Sequence, residues 1–335
     1  MTRYEDVNRH GGQVDAMAGA FPDAPKPWLD LSTGINPWPY PLPALAPAAW
    51  ARLPSGQARM DCEAAMARAF RCHPSVCRAF AGTEMVIRQL PDVLHSRHIA
   101  LRSPSYADHA EAWQVAGAEV REVNQPLELV GEVDTVVLVN PNNPDGYRWT
   151  VAQLEDVRQR LARRGGWLIV DEAYADLDPA ASMAPFGGRD GLIVLRSFGK
   201  FFGLAGVRLG AVLAPPPILA SLAERFGVWD VSGPALTLGA KAYADEPWHE
   251  ATRSRVAEAS TRLQEVLINA GLQDAGGTDL FRYVRTSNAH TVWRRLAQQG
   301  IAVRRFEDQN TALRIGLPPD AQALSRLAKA LAASG

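Results

Sequence analysis

Lys200 is the residue whose neighbours most constrain its chemistry. It stands in Ser197-Phe198-Gly199-Lys200-Phe201-Phe202-Gly203, directly after the apolar run at 191–195. That run is short and rich in branched aliphatics, so it predicts a buried strand with the lysine in the turn at its end. Burial against Phe198, Phe201 and Phe202 disfavours the ammonium form and leaves the amine that forms a Schiff base with an aldehyde. Ser197 and Arg208 flank it, and a hydroxyl with a bidentate guanidinium suits a phosphate group. The plain alternative is a lysine snorkelling from a strand end beside ordinary glycine turns.

An aldehyde and a phosphate on one molecule describe pyridoxal 5'-phosphate, and four more positions fit its ring. Asp171, at a strand end, can accept a hydrogen bond from a protonated pyridine nitrogen and so hold the ring as an electron sink. Buried without a cationic partner, that carboxylate would be costly. Asn143 and Tyr174 can donate to a ring hydroxyl oxygen, and Tyr106 can stack on the ring face. Gly82-Thr83-Glu84 opens a helix whose first backbone amides offer a second phosphate-binding surface. Each residue also has a local reading: an Asn-Pro turn for Asn143, a helix cap for Asp171, core aromatics for the tyrosines.

The elements that must position these residues alternate. Strands are predicted at 75–81, 98–101, 135–139, 167–170 and 191–195. Helices are predicted at 61–70, from Glu84 to about Leu94, from Tyr106 to about Gly117, and over 151–164. Strand and helix in alternation predict an α/β fold with a mainly parallel, doubly wound sheet. In such a sheet ligands sit outside the carboxyl ends of the strands. Tyr106, Asn143, Asp171, Tyr174 and Lys200 all follow strands closely, so residues scattered along the chain converge on one sheet edge. A long helical stretch from Pro234 to about Ala270, interrupted or bent near Pro247, leads to a small α+β unit. Its predicted strands are 280–284, 301–306 and 312–315, with helices at 289–299 and 320–332. The expected division is an N-terminal arm (1–50), a large cofactor-binding domain (51–232) and a small domain (233–335). The arm is proline-rich and carries little core, so it should lie across another surface, its own or a partner subunit's.

With 335 residues, 47% of them hydrophobic, the chain can bury a large core. Its formal charge is −1 with dispersed Lys and Arg, which points away from nucleic acid or a membrane as partner. Cys62, Cys72 and Cys77 are odd in number and lack a CxxC pair, arguing against a disulfide framework and a metal site. The polar opening Met1-Thr2-Arg3-Tyr4-Glu5-Asp6 has no signal-peptide pattern, and the expected compartment is the cytoplasm.

The chain resembles the class I/II aminotransferases, fold type I enzymes that use pyridoxal 5'-phosphate. The matching pieces are Ser103-Pro104-Ser105-Tyr106, Asn142-Asn143-Pro144-Asp145-Gly146, Asp171-Glu172-Ala173-Tyr174, Ser197-Phe198-Gly199-Lys200, Arg208-Leu209-Gly210 and Leu313-Arg314-Ile315-Gly316. The resemblance implies that Lys200 carries the cofactor and Asp171 pairs with its ring nitrogen. It further implies Thr83, Ser197 and Arg208 on the cofactor phosphate, Arg314 on the substrate carboxylate, and a homodimer. Two departures stand out: Asp145 replaces the family's usual threonine, and Leu53-Pro54-Ser55-Gly56-Gln57 lacks a tyrosine that often reaches the neighbouring subunit's cofactor. Within the family, His10-Gly11-Gly12 and Leu31-Ser32-Thr33-Gly34-Ile35-Asn36-Pro37 resemble the branch that decarboxylates L-threonine O-3-phosphate in cobalamin biosynthesis. A phosphorylated amino acid is then the substrate, with His10, Gly34, Asn36 and Arg304 as candidates to hold it beside Arg314. The alternative is an aminotransferase acting on a compound such as histidinol phosphate. A cofactor-binding regulator is a third reading, without a helix-turn-helix before residue 30 to support it.

Overall fold

A computed structural model describes residues 10–306 and 309–332, so the polar opening Met1 to Asp6 lies outside the described residues. Among the described residues the strands number twelve: β1 (Leu29–Leu31), β2 (Cys77–Phe80), β3 (His98–Arg102), β4 (Glu119–Val123), β5 (Thr135–Val139), β6 (Trp167–Asp171), β7 (Leu192–Ser197), β8 (Gly210–Leu213), β9 (Gln273–Thr278), β10 (Phe281–Arg285), β11 (Ile301–Arg305) and β12 (Ala312–Gly316). Seven of them form one sheet in the order β2-β8-β7-β6-β5-β3-β4. From β7 to β4 all neighbours are parallel, and β8 alone runs against both of its neighbours. The expected α/β class and mainly parallel sheet are therefore present.

Residues of both faces of the central strands are buried, as crossover helices require. Every residue of β5 is buried. On one face Ile99, Leu101, Val137, Ile169, Ile193, Leu195 and Val212 pack with Val86, Ile87 and Leu90 of the helix Glu84–Leu94 and Trp113 of the helix Ala107–Val115. Burying each such aliphatic side chain is worth about 1.5–3 kcal/mol, which makes this layer the foundation for the loops at its edge.

The chain divides into two units, and the division falls elsewhere than the sequence suggests. Pro39–Asn143 with Tyr147–His249 form one, and Met1–Trp38, Pro144–Gly146 and Glu250–Gly335 form the other. The smaller unit has its own sheet, β1-β11-β12-β10-β9. In it β1 pairs in parallel with β11, Leu29 opposite Ile301 and Leu31 opposite Val303. Met17, Phe21 and Leu31 are buried, and Phe21 meets Trp293 edge to face at 5.7 Å. The expected arm thus contributes the helix Val14–Ala20 and the strand β1 to its own chain's small unit, so that part of it does not itself call for a partner surface.

The helical stretch expected from Pro234, with its interruption or bend near Pro247, is two helices, Gly233–Ala244 and Glu246–Asn269, that part at Asp245. Pro247 lies in the first turn of the second, where its missing N–H has no intrahelical partner to lose. Among the described residues no helix is long and apolar enough to cross a membrane. The three cysteines are free thiols, and burial pushes the Cys62 thiol up to about 12.

Candidate active site

The parallel run β3, β5, β6, β7 ends in register. Val139 is opposite Asp171 and Asp171 opposite Leu195, while the amides of Asn140 and Glu172 donate to Asp171 O and Leu195 O, each at 2.8 Å. The loops after these strands carry Tyr106, Asn143, Asp171, Tyr174 and Lys200, so the predicted convergence on one edge is what the sheet produces.

Asp171 is 4% exposed and His109 1%, and His109 Nε2 lies 3.0 Å from Asp171 Oδ2. An ionised carboxylate only accepts, so the imidazole donates from Nε2. The other oxygen accepts from the Ala173 amide at 3.1 Å. Sequence reading missed His109. Its signal was the question of which donor satisfies a buried carboxylate, but the answer sits 62 positions away on the helix Ala107–Val115.

Tyr106 donates to Asp108 Oδ2 at 2.6 Å, and its ring meets His109 edge-on. Burial, reinforced by Asp108, pushes its phenol well above the ordinary range. Asn143 is half-buried, whereas its neighbour Asn142 is wholly buried. Asn142 donates to Pro104 O at 3.0 Å and accepts from Ser105 Oγ at 2.7 Å, tying the loop after β3 to the loop after β5. Tyr174 is buried in the turn after β6.

Lys200 occupies the single-turn helix Phe198–Phe201 and is half-buried. The phenylalanines expected to enclose it pack elsewhere. Phe198 stacks on Phe202 at 4.4 Å, and Phe202 stacks on Trp248 at 5.5 Å and meets Tyr243 edge to face. They anchor the turn to the helices from Gly233 onward and leave the lysine partly open.

The expected phosphate residues meet at the β2–β8–β7 edge. Phe80 and Ser197 both pair with Gly210. A Cβ on Gly210 would come within 3.1 Å of Thr83 Cγ2, and one on Gly82 would come within 3.1 Å of Arg208 Nη2. Gly82 is left-handed at φ +84° and Arg208 at φ +52°. The guanidinium therefore lies across a bare glycine, at the start of the helix Glu84–Leu94 with its unpaired amides. That cradle, with Ser197 and Thr83 both adjoining Gly210, fits the phosphate of pyridoxal 5'-phosphate, and the firmly held carboxylate of Asp171 fits its ring nitrogen. Glu84 enters through its backbone, because its carboxylate is itself 3.7 Å from Arg208 Nη2.

The residues expected to meet substrate lie in the smaller unit. His10, Gly11, Ser32, Arg304 and Arg305 line one pocket there. The Gly12 amide donates to Ser32 Oγ at 2.8 Å, and the absence of a Cβ on Gly11 lets this turn sit against Ser32 O. Arg304 and Arg314 are direct partners across the antiparallel β11–β12 ladder. Arg314 is buried, donates to Ser32 O at 2.9 Å and lies over the Phe281 ring. Gly34 and Asn36 are buried, and Asn36 Oδ1 accepts from the Trp38 amide at 2.9 Å. That oxygen of Asn36 thus closes a turn.

The chain is similar to known proteins along most of its length. Threonine-phosphate decarboxylase of Pseudomonas aeruginosa is 42% identical over 325 residues, covering 96% of this chain and 96% of that protein. Histidinol-phosphate aminotransferase of Citrifermentans bemidjiense is 29% identical over 87% of both. The structure of histidinol-phosphate aminotransferase from Sinorhizobium meliloti in complex with pyridoxal-5'-phosphate superposes with a TM-score of 0.80 at 21% identity, over 95% of this chain and 93% of that one. Residues 79–331, which span every cradle and ring position above, match aminotransferase class I and II, and the chain belongs to that pyridoxal-phosphate family.

Proposed function

We propose that the protein decarboxylates L-threonine O-3-phosphate to (R)-1-amino-2-propanol O-2-phosphate, as a step of cobalamin biosynthesis; a relative 42% identical to it is named threonine-phosphate decarboxylase. The observation that carries the reading is the direct opposition of Arg304 and Arg314 beside a pocket lined by His10 and Ser32. A substrate with both a carboxylate and a phosphate supplies two anions, whereas a histidinol phosphate supplies one.

Pyridoxal 5'-phosphate, when bound, supplies an aldehyde that captures amines and a pyridinium ring that accepts the electron pair released at Cα. The protein's own part begins with Lys200 Nζ, which would hold the cofactor through its aldehyde carbon and release that carbon to the substrate amine in exchange. Asp171, fixed by His109, keeps the proton on the ring nitrogen. Asn143 and Tyr174 hold the ring hydroxyl oxygen, and Tyr106 covers the ring face. Gly82, Thr83, Ser197 and Arg208 grip the cofactor phosphate. Arg314 takes the substrate carboxylate, while His10, Asn36 and Arg304 take its phosphate and so turn the Cα–carboxylate bond perpendicular to the ring. Lys200 Nζ, freed by the exchange, returns a proton to Cα after carbon dioxide leaves.

A homodimer is part of this reading. Trp50, Leu53, Met60, Val228 and Trp229 are exposed on the larger unit. Their segments are held together by the Arg59–Asp230 ion pair and by Ala49 seated against Gly233. Clustered exposed apolar side chains mark an interaction surface, and sedimentation should give a dimer.

Product analysis tests the function. Phosphothreonine should release carbon dioxide and leave an aminopropanol phosphate. Glutamate formed from 2-oxoglutarate with no carbon dioxide would put the aminotransferase in its place. His10→Ala should lower kcat as well as raise KM, since the phosphate grip orients the bond to be broken. One lost charged hydrogen bond, about 1.5–3 kcal/mol, slows turnover roughly ten- to a hundredfold.

A further inference from the structure

Arg196 lies in β7, between the strand core and the Lys200 turn, and is 2% exposed. Its Nη1 donates to Glu172 Oε2 at 3.0 Å and to Ser182 Oγ at 3.1 Å, and its Nη2 pairs with Asp176. Glu172 directly follows Asp171, and Asp176 belongs to the 3-10 turn Ala175–Leu177 that begins at Tyr174. Ser182 donates to Glu172 Oε2, whose partner oxygen accepts from the Met183 amide at 2.6 Å. The guanidinium also lies over the Phe70 ring at 4.5 Å. One side chain on β7 is thus bonded to both segments that leave β6 on either side of Tyr174.

We propose that Arg196 is a positioning residue: it locks the exits of β6 and β7 together and so sets Asp171 and Tyr174 relative to Lys200. This rests on the cofactor reading above. Two carboxylates and a guanidinium in a dry interior are expensive to assemble, and apolar side chains of similar volume commonly give equal or better stability. Stability alone therefore does not account for the cluster. Position does, because a planar fork reaches two carboxylates at fixed angles, whereas a lysine ammonium in the same place reaches only as a point charge. Burial pushes the Glu172 carboxyl up, and only the arginine with the Ser182 and Met183 donors holds it in place.

Arg196→Lys and the milder Ser182→Ala test this in the holoenzyme. The readouts are the pH midpoint of the cofactor's visible absorption band, the dissociation constant of pyridoxal 5'-phosphate from the apoprotein, and kcat and KM with phosphothreonine. Small misplacements of reacting groups cost up to about a hundredfold, so Arg196→Lys should lower kcat roughly ten- to a hundredfold with KM within about twofold. The midpoint should shift by about half a pH unit or more, the direct sign of a changed setting around Lys200. Ser182→Ala should move every readout the same way by less. A folded Arg196→Lys with wild-type midpoint, cofactor affinity and kcat, or a loss confined to KM, overturns the proposal. If that variant does not fold, Ser182→Ala is judged by the same criteria. Wild-type protein with no visible band after loading removes the cofactor reading and this inference with it.

Discussion

His109 Nε2 lies 3.0 Å from Asp171 Oδ2, and both side chains are almost wholly buried, one on the helix after β3 and the other at the end of β6. The imidazole that donates to the carboxylate fixes its orientation. Asp171→Asn should retain the cofactor yet lose about 10²–10³ in kcat, the usual cost of removing one preorganised electrostatic partner. His109→Phe should cost less, since the carboxylate keeps the Ala173 amide. Steady-state kinetics on both variants checks the order, and full activity in Asp171→Asn would remove that residue from the mechanism.

The wild-type protein should be yellow when loaded, and borohydride should trap the cofactor on one peptide, the one containing Lys200. Lys200→Ala should bind cofactor without any reducible covalent link. Mass spectrometry of the reduced digest decides, and an adduct persisting in that variant would assign the lysine elsewhere.

Gly82→Ala places a Cβ within 3.1 Å of the Arg208 guanidinium, in a backbone conformation at φ +84° that side chains disfavour. The left-handed conformation costs about 1–2 kcal/mol, and the displaced arginine loses part of its grip on phosphate. Cofactor affinity should fall about tenfold or more with the fold intact. Equilibrium dialysis with pyridoxal 5'-phosphate and with pyridoxal provides the check, because only the phosphorylated form should suffer.

Glu155 accepts from Arg158 Nε and Nη2, both at 2.8 Å, and from Gln159 and Arg189. The Arg158 bonds, opposed by partial burial, hold its carboxyl down to about 2 against an ordinary 4.5. A depressed folded value means the carboxylate stabilises the protein fully above about pH 4.5 and loses that contribution as pH falls toward 2. Water reaches this pair and screens it, so Glu155→Gln should cost only about 1 kcal/mol at pH 7. Urea unfolding should show a smaller difference between variant and wild type at pH 4 than at pH 7. An equal difference at both would rule out the charge as its source.

What could be read from the chain alone was whatever depends on neighbours in sequence. Runs of branched aliphatics marked β3, β5, β6 and β7, and the residues just beyond them became the edge of the sheet because parallel strands share one direction. Strands without that signature escaped. β4 (Glu119–Val123) is a partly exposed edge strand of alternating charge, and β9 (Gln273–Thr278) contains Gly276 and Gly277, both at positive φ. Pairings across the fold were equally hidden. His109 meets Asp171 only because β3, β5 and β6 lie side by side, Arg304 faces Arg314 only through the β11–β12 register, and Arg196 reaches Glu172 and Asp176 only because β7 follows β6. Strand order and register are settled by burial summed over the whole sheet, and no local window contains that sum. The sequence therefore determined which residues are candidates for the chemistry, and the tertiary structure decided which other residues hold them in place.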